Sequence, residues 1–164
     1  MVLCVTLLPL HYMRILIVCL LWISLIQLVS CSNSESGEDR FLKSYTFSTK
    51  SHNTGLDCMQ CHKPGGDGEG IFTVAGSVFQ LDKSTPNPNG MVYLSALANG
   101  REVEVELQVD ALGNFYTTEP VAFGKGLYPQ HKSSKDTLRF MSGTVTNGSC
   151  NSCHGRTTFV INNY

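Results

Sequence analysis

The sequence predicts an all-β fold, a small sandwich of short strands, and three observations carry that expectation. From Arg101 to Val109 the side chains alternate, with Val103, Val105, Leu107 and Val109 apolar and Glu102, Glu104, Glu106 and Gln108 polar. A period of two puts four apolar side chains on one face of an extended chain, as in a half-buried antiparallel strand. The run Met91 to Ala98 precedes it across Asn99-Gly100, a dipeptide that accepts positive φ at both positions and so suits a tight type I′ hairpin. Further short apolar runs are separated by Pro86-Asn-Pro-Asn-Gly90, Leu112-Gly113 and Gly124-Lys-Gly126; short strands punctuated by Gly and Pro make a sandwich or a barrel.

In chain order, residues 1–30 read as targeting sequence. Arg14 precedes an uncharged run, Ile15 to Val29, and the run closes on Leu28-Val29-Ser30-Cys31. A basic start, an apolar stretch and a small-residue junction are the parts of a signal peptide. The junction resembles a bacterial lipoprotein signal, which implies that Cys31 is lipidated and becomes the mature N-terminus. Residues 1–12 are surplus to such a signal, so Met13 is the expected start. Ser32, rather than an aspartate, follows that cysteine; by the same resemblance this points to the outer membrane, facing either the periplasm or the cell surface. The competing readings are plain secretion and an uncleaved membrane anchor, for which the uncharged run is short. Residues 32–39 contain no apolar side chain, so 31–44 reads as a tether holding the domain off the bilayer.

Beyond residue 30 the chain is long enough for one domain with a real core. It carries 11 Lys and Arg against 13 Asp and Glu. That balance offers no electrostatic footprint for nucleic acid, and it favours a partner with a basic face only weakly and in a salt-dependent way. Within the domain, strands are expected at Ile71 to Phe79, Asn114 to Thr118 and Thr137 to Val145, besides the hairpin.

Two pentapeptides of one form, Cys58-Met-Gln-Cys61-His62 and Cys150-Asn-Ser-Cys153-His154, bracket the β region. CxxCH is the attachment sequence for c-type haem: two thiols add to the two vinyl groups, and the adjoining imidazole becomes the proximal iron ligand. Two intervening residues let both sulfurs reach one edge of the macrocycle while the next side chain swings under the metal. The cysteine count agrees, since seven occur and the three outside the motifs are Cys4, Cys19 and Cys31, all within or ending the leader. A disulfide framework would place cysteines at other spacings, and a redox CxxC needs no histidine after it. A tetrathiolate zinc site from Cys58, Cys61, Cys150 and Cys153 is the main alternative, but it explains neither the histidine after each pair nor the export signal. The expectation is a chain carrying two c-type haems, with loop-rich haem-binding segments at 45–70 and 147–164 flanking a β-sandwich over 71–146. As a whole it resembles a dihaem c-type cytochrome lipoprotein.

A second resemblance covers roughly residues 72–130. Val74-Ala-Gly-Ser-Val78, Asn89-Gly-Met-Val-Tyr-Leu94, Val109-Asp-Ala-Leu-Gly-Asn-Phe-Tyr116 and Gly126-Leu-Tyr128 resemble the repeated strand motifs of carboxypeptidase regulatory-like, transthyretin-like domains. These are Ig-like sandwiches, and in that family the module is a non-catalytic scaffold. The resemblance implies that Met141 to Cys150 is the last strand, feeding straight into the second haem motif.

Five histidines occur: His11 lies in the leader, while His62 and His154 belong to the motifs. His52, in a polar segment six residues before Cys58, and His131, in a Pro-Gln-His-Lys loop, remain. Two spare imidazoles for two open iron positions is the count that bis-histidine ligation needs. Proximity in sequence pairs His52 with His62 and His131 with His154, with crossed pairing open. Met141 competes as a ligand, although a methionine in a strand is more often core. Lys63-Pro-Gly-Gly-Asp-Gly-Glu-Gly70 lacks the order of a phosphate-binding loop and reads as a turn from the first motif into the first strand. Three function classes follow. Electron transfer between redox partner proteins is favoured; a dihaem enzyme such as a peroxidase would need one open iron site, and a haem-based sensory or binding module would use the sandwich as its contact surface.

Overall fold

The alternating segment forms the strand expected of it. In the computed structural model, which describes residues 41–162, β2 (Met91–Ser95) and β3 (Val103–Gln108) pair antiparallel, with Val92 opposite Leu107 and Leu94 opposite Val105. Leu107 turns inward and is fully buried, whereas Glu104 and Glu106 face solvent. The turn differs from the tight hairpin expected at Asn99-Gly100. The strands end sooner, a register shift falls between Leu94 and Ser95, and the loop is closed by Ala96 N–H donating to the Glu102 carbonyl at 2.9 Å. Only Gly100 (φ +77°) and Glu102 (φ +58°) take left-handed conformations there. A three-residue-apart turn ending on glycine, followed by a bulge, absorbs the reversal that a two-residue turn was expected to make.

Six further strands complete the fold: β1 (Val74–Phe79), β4 (Asn114–Thr117), β5 (Tyr128–Lys132), β6 (Leu138–Phe140), β7 (Gly148–Ser149) and β8 (Ile161–Asn162). They make two sheets, ordered β3-β2-β5-β6 in one and β4-β1-β7 in the other, with β8 also on β1. Apart from two one-turn 3₁₀ segments, the described residues contain no helix. The all-β class is therefore as expected. One core joins the sheets: Val74, Val78 and Phe115 come from one, and Val92, Leu94 and Leu107 from the other, with Val109 and Leu127 beside them. Each such side chain contributes about 1.5–3 kcal/mol when fully buried.

The turn at Val109-Asp-Ala-Leu-Gly-Asn-Phe is built by Asp110. Its Oδ1 accepts from the backbone N–H groups of Leu112 and Asn114, both at 2.9 Å, and Gly113 takes φ +79°. Asp110 thus mimics a backbone turn with its side chain and delivers Phe115 to the core.

Two expectations along the second sheet need correction. The segment containing His131 is not a loop but strand β5, paired with β2 on one side and β6 on the other. It has no alternating pattern and contains Pro129, so nothing local marks it; the ladders from two neighbours make it a strand. The strand expected from Thr137 to Val145 is short and stops at Phe140. Met141 N–H donates to the Pro129 carbonyl at 3.0 Å, but proline has no N–H to return, so the ladder ends there. The last strand before Cys150 is likewise only β7, two residues long.

The edges of the first sheet come from outside the expected sandwich boundaries. Leu42 to Ser44, assigned by composition to the tether, run along β4, with Thr118 N–H donating to Leu42 O at 2.9 Å and Ser44 N–H to Tyr116 O at 3.0 Å. On the opposite edge of β1, β7 pairs at Val74 and Ala75 and β8 at Val78 and Phe79, both parallel. The described part of the segment expected at 147–164 therefore adds two short strands to the sheet and is not an appendage to it. The leader, the rest of the tether and the expected lipidation site Cys31 lie outside the described residues.

Candidate functional site

Both CxxCH motifs fold alike. Cys58–Gln60 and Cys150–Ser152 are each a single 3₁₀ turn, with Cys61 and Cys153 at αR angles after it. In each, the N–H of the motif histidine donates to the carbonyl of the first cysteine at 3.0 Å, His62 to Cys58 and His154 to Cys150.

The two imidazoles are also fixed alike. His62 Nδ1 lies 2.8 Å from the Glu69 carbonyl, and His154 Nδ1 lies 2.7 Å from the Phe159 carbonyl. A carbonyl oxygen only accepts, so each Nδ1 carries a proton, and in the neutral ring Nε2 then holds the lone pair. This is the tautomer and the outer-shell bond that metal-ligating histidines use. His62 is buried, stacked on Phe72 at 3.9 Å between ring centroids, and Phe72 stacks on Tyr116 at 4.9 Å. The glycine-rich loop after the first motif wraps this ring: Gly68 N–H donates to the Cys61 carbonyl, and a Cβ on Gly68 would fall 2.6 Å from His62 Nδ1. Read from sequence as a simple turn, the loop proves to pack around His62.

Strand β1 seats the second motif. Between its pairings with β7 and β8, Ser77 N–H donates to Asn151 Oδ1 at 3.1 Å, and Asn151 Nδ2 donates to Ser77 Oγ at 3.0 Å. The asparagine side chain replaces a strand partner where the chain leaves the sheet to form the motif. Gly76 permits the approach, because a Cβ there would stand 2.5 Å from Phe115 Cζ and 2.8 Å from Cys150 Cβ. Gly76→Ala is expected to cost about 1–3 kcal/mol through overpacking, which thermal unfolding of the variant checks.

A cavity of about 610 Å³ opens beside the second motif, within the size range of cofactor sites. Cys150, Cys153 and His154 line it, and so do His131, Met141 and Phe159. His131 sits opposite Val92 in the β2–β5 ladder and so shares Val92's inward face; it is 4% exposed. The second motif and the histidine paired with it by sequence proximity thus meet in one cavity. Met141 and Phe140, exposed on the protein surface, belong to the same lining.

His52 is exposed, in the segment before the first motif, and its ring centroid is 5.8 Å from that of His62, tilted by 35°. With metal–imidazole bonds of about 2 Å, two rings sharing one metal have centroids roughly 6 Å apart. Asn114, buried in β4, holds this segment in place: its Nδ2 donates to Ser51 Oγ at 2.8 Å and Thr54 Oγ1 at 2.9 Å, while its Oδ1 accepts from Ser77 Oγ at 2.6 Å. Each expected distal histidine is therefore near the motif it was paired with.

The motif thiols are unlinked. All four motif cysteines are free. Burial pushes the Cys58 thiol up, and burial with the neighbouring Cys58 pushes Cys150 up to about 12. A redox CxxC works through a lowered thiol, and the shift here is in the other direction. Among the described residues no three His, Cys, Asp or Glu side chains gather to hold a metal ion by themselves. A tetrathiolate zinc site needs four converging sulfurs, whereas an iron carried in a macrocycle takes only its axial ligands from the protein. The donor set, the tautomers and the cavity fit haem.

Asp57, which caps the first motif by accepting from Met59 N–H at 3.3 Å, has no sequence signal for the role it takes. Burial raises its carboxyl, but hydrogen bonds from Gln60, Ser149 and Met59, with the positive charge of Arg156, outweigh burial and hold it below the usual value. Asp57, Ser77, Asn114, Ser149 and Asn151 were all missed from sequence, since none lies in a local pattern that marks it. Comparison with protein-family models, with curated proteins and with solved structures gives no match.

Proposed function

We propose that the chain is an exported dihaem c-type cytochrome that passes electrons between redox partner proteins, tethered to a membrane through lipid on Cys31. The single observation that carries this reading is the duplicated motif geometry, with His62 and His154 each locked through Nδ1 onto a carbonyl so that Nε2 is presented. Cys58 and Cys61 would hold one haem and Cys150 and Cys153 the other. The haem supplies the one-electron chemistry, and the protein tunes it through axial ligands, burial and hydrogen bonds. His62 and His154 are the proximal ligands. Distal ligation by His52 and His131 is supported by the 5.8 Å ring separation from His62 and by the cavity shared with His154. The β-sandwich, of the transthyretin-like kind, acts as the scaffold on which both motifs are mounted rather than as a catalytic module.

Expression with a haem-attachment system should give two covalent haems per chain by pyridine haemochrome, both low-spin and both indifferent to CO and peroxide. Absence of covalent haem removes the reading. A high-spin, CO-binding component would favour the peroxidase alternative over electron transfer.

A further inference from the structure

We propose that the two haem-attachment motifs form one paired site, clamped by Asp57 and Asn151, in which the two haems lie near enough to interact electronically. This rests on the dihaem reading above and adds to it a relation between the haems. Ser149 Oγ, just before the second motif, donates to Asp57 Oδ1, just before the first, at 2.8 Å across 92 positions of sequence. The other carboxylate oxygen accepts from Gln60 Nε2 at 3.0 Å, within the first motif. Asn151 Nδ2, inside the second motif, donates to the Leu56 carbonyl at 2.9 Å. The residues that introduce Cys58 and Cys150 are thus bonded to each other, and both one-turn helices rest on β1.

Asn151 is the telling residue. The two positions between the cysteines of CxxCH take no part in attachment, and on a freestanding motif they would face water. Here Asn151 is 3% exposed, with its Oδ1 and its Nδ2 all bonded to Ser77 and Leu56. A buried amide is retained where all its partners are in place, and these partners belong to β1 and to the approach to the other motif. Ser77 Oγ further accepts from Gly55 N–H at 2.9 Å, so the same strand residue holds both segments. The positive charge of Arg156, just after the second motif, acts on Asp57, and the Cys58 and Cys150 thiols are close enough to influence each other. Joined this way, the motifs form a unit through which an electron entering at one site can leave at the other, and the charge at each site alters the potential of the other.

Visible circular dichroism of the purified holoprotein tests the pairing. The expected result is a bisignate Soret couplet, with two haems counted by pyridine haemochrome on the same sample. Asn151→Ala combined with Ser149→Ala should cut the couplet at least twofold while both haems stay attached, and Asp57→Asn, which keeps the shape of the carboxylate, should weaken it less. A single-signed Soret band with two haems bound overturns the pairing, and that measurement on the natural chain stands even if a variant fails to fold. A full couplet in the double variant overturns the role given to the clamp. A count below two haems in the natural chain overturns the dihaem reading itself, and the pairing with it, by a different observable.

Discussion

Replacing His131 by alanine should turn one of the two haems high-spin and open to CO while the covalent haem count stays at two. In the proposed reading attachment depends on Cys150 and Cys153 and not on the distal side, so the two readouts separate. The expectation is strong because His131 sits on a strand held from both edges, by β2 and β6, and is 4% exposed in the cavity that Cys150, Cys153 and His154 line. A ligand on such a support is held in place by packing on both sides. Gly90 leaves space at the imidazole, for a Cβ there would lie 2.8 Å from His131 Nε2. His52→Ala should act on the other haem, and less completely, because the exposed segment that carries His52 is held mainly through Asn114. If His131→Ala leaves both haems low-spin while Met141→Leu does not, the distal ligand in that cavity is Met141, with the raised potential that Met/His iron has relative to bis-His.

Phe115→Ala is expected to have the largest effect on stability, about 3–5 kcal/mol, lowering the melting temperature by on the order of 10–20 °C. Phe115 is 1% exposed, belongs to the core shared by both sheets, lines the cavity beside the second motif and lies against Gly76 next to Cys150. Its loss removes apolar contact from the core and from the floor of the second site together. Phe159→Ala makes the control. Phe159 lines the same cavity but is 78% exposed, so the apoprotein should lose no more than about 0.5 kcal/mol, while the Soret band of the second haem should shift. Calorimetry and absorption spectra on the two variants distinguish a core role from a cavity role; equal destabilisation by both would contradict the placement of Phe115.

Some of this was legible residue by residue. Alternation from Glu102 to Val109 has one physical meaning, so β3 and its partner β2 were found, and with them the all-β class. Leu112-Gly113 marked its turn because the positive φ that glycine supplies is local chemistry, while the side-chain mimicry of Asp110 came from the structure. The hairpin turn was misread, since a register shift between Leu94 and Ser95 depends on pairing along the whole ladder. β5 was missed altogether: a polar, proline-bearing run becomes a strand only because neighbours on both sides supply the hydrogen bonds. His131, read as a loop residue, is for that reason buried.

What the sequence by itself determined is the duplicated CxxCH motif. The order of two thiols and an imidazole within five residues is set by covalent connectivity, and no fold is needed to read it. The count of spare histidines is likewise a property of composition. Only the tertiary structure decided where those groups stand. Strand pairings far apart in sequence bring His131 to the cavity of the second motif and join Asp57 to Ser149 and Asn151 to Leu56. Each of these contacts joins residues that no local pattern connects, and it is the packing of two sheets around one core that makes them neighbours.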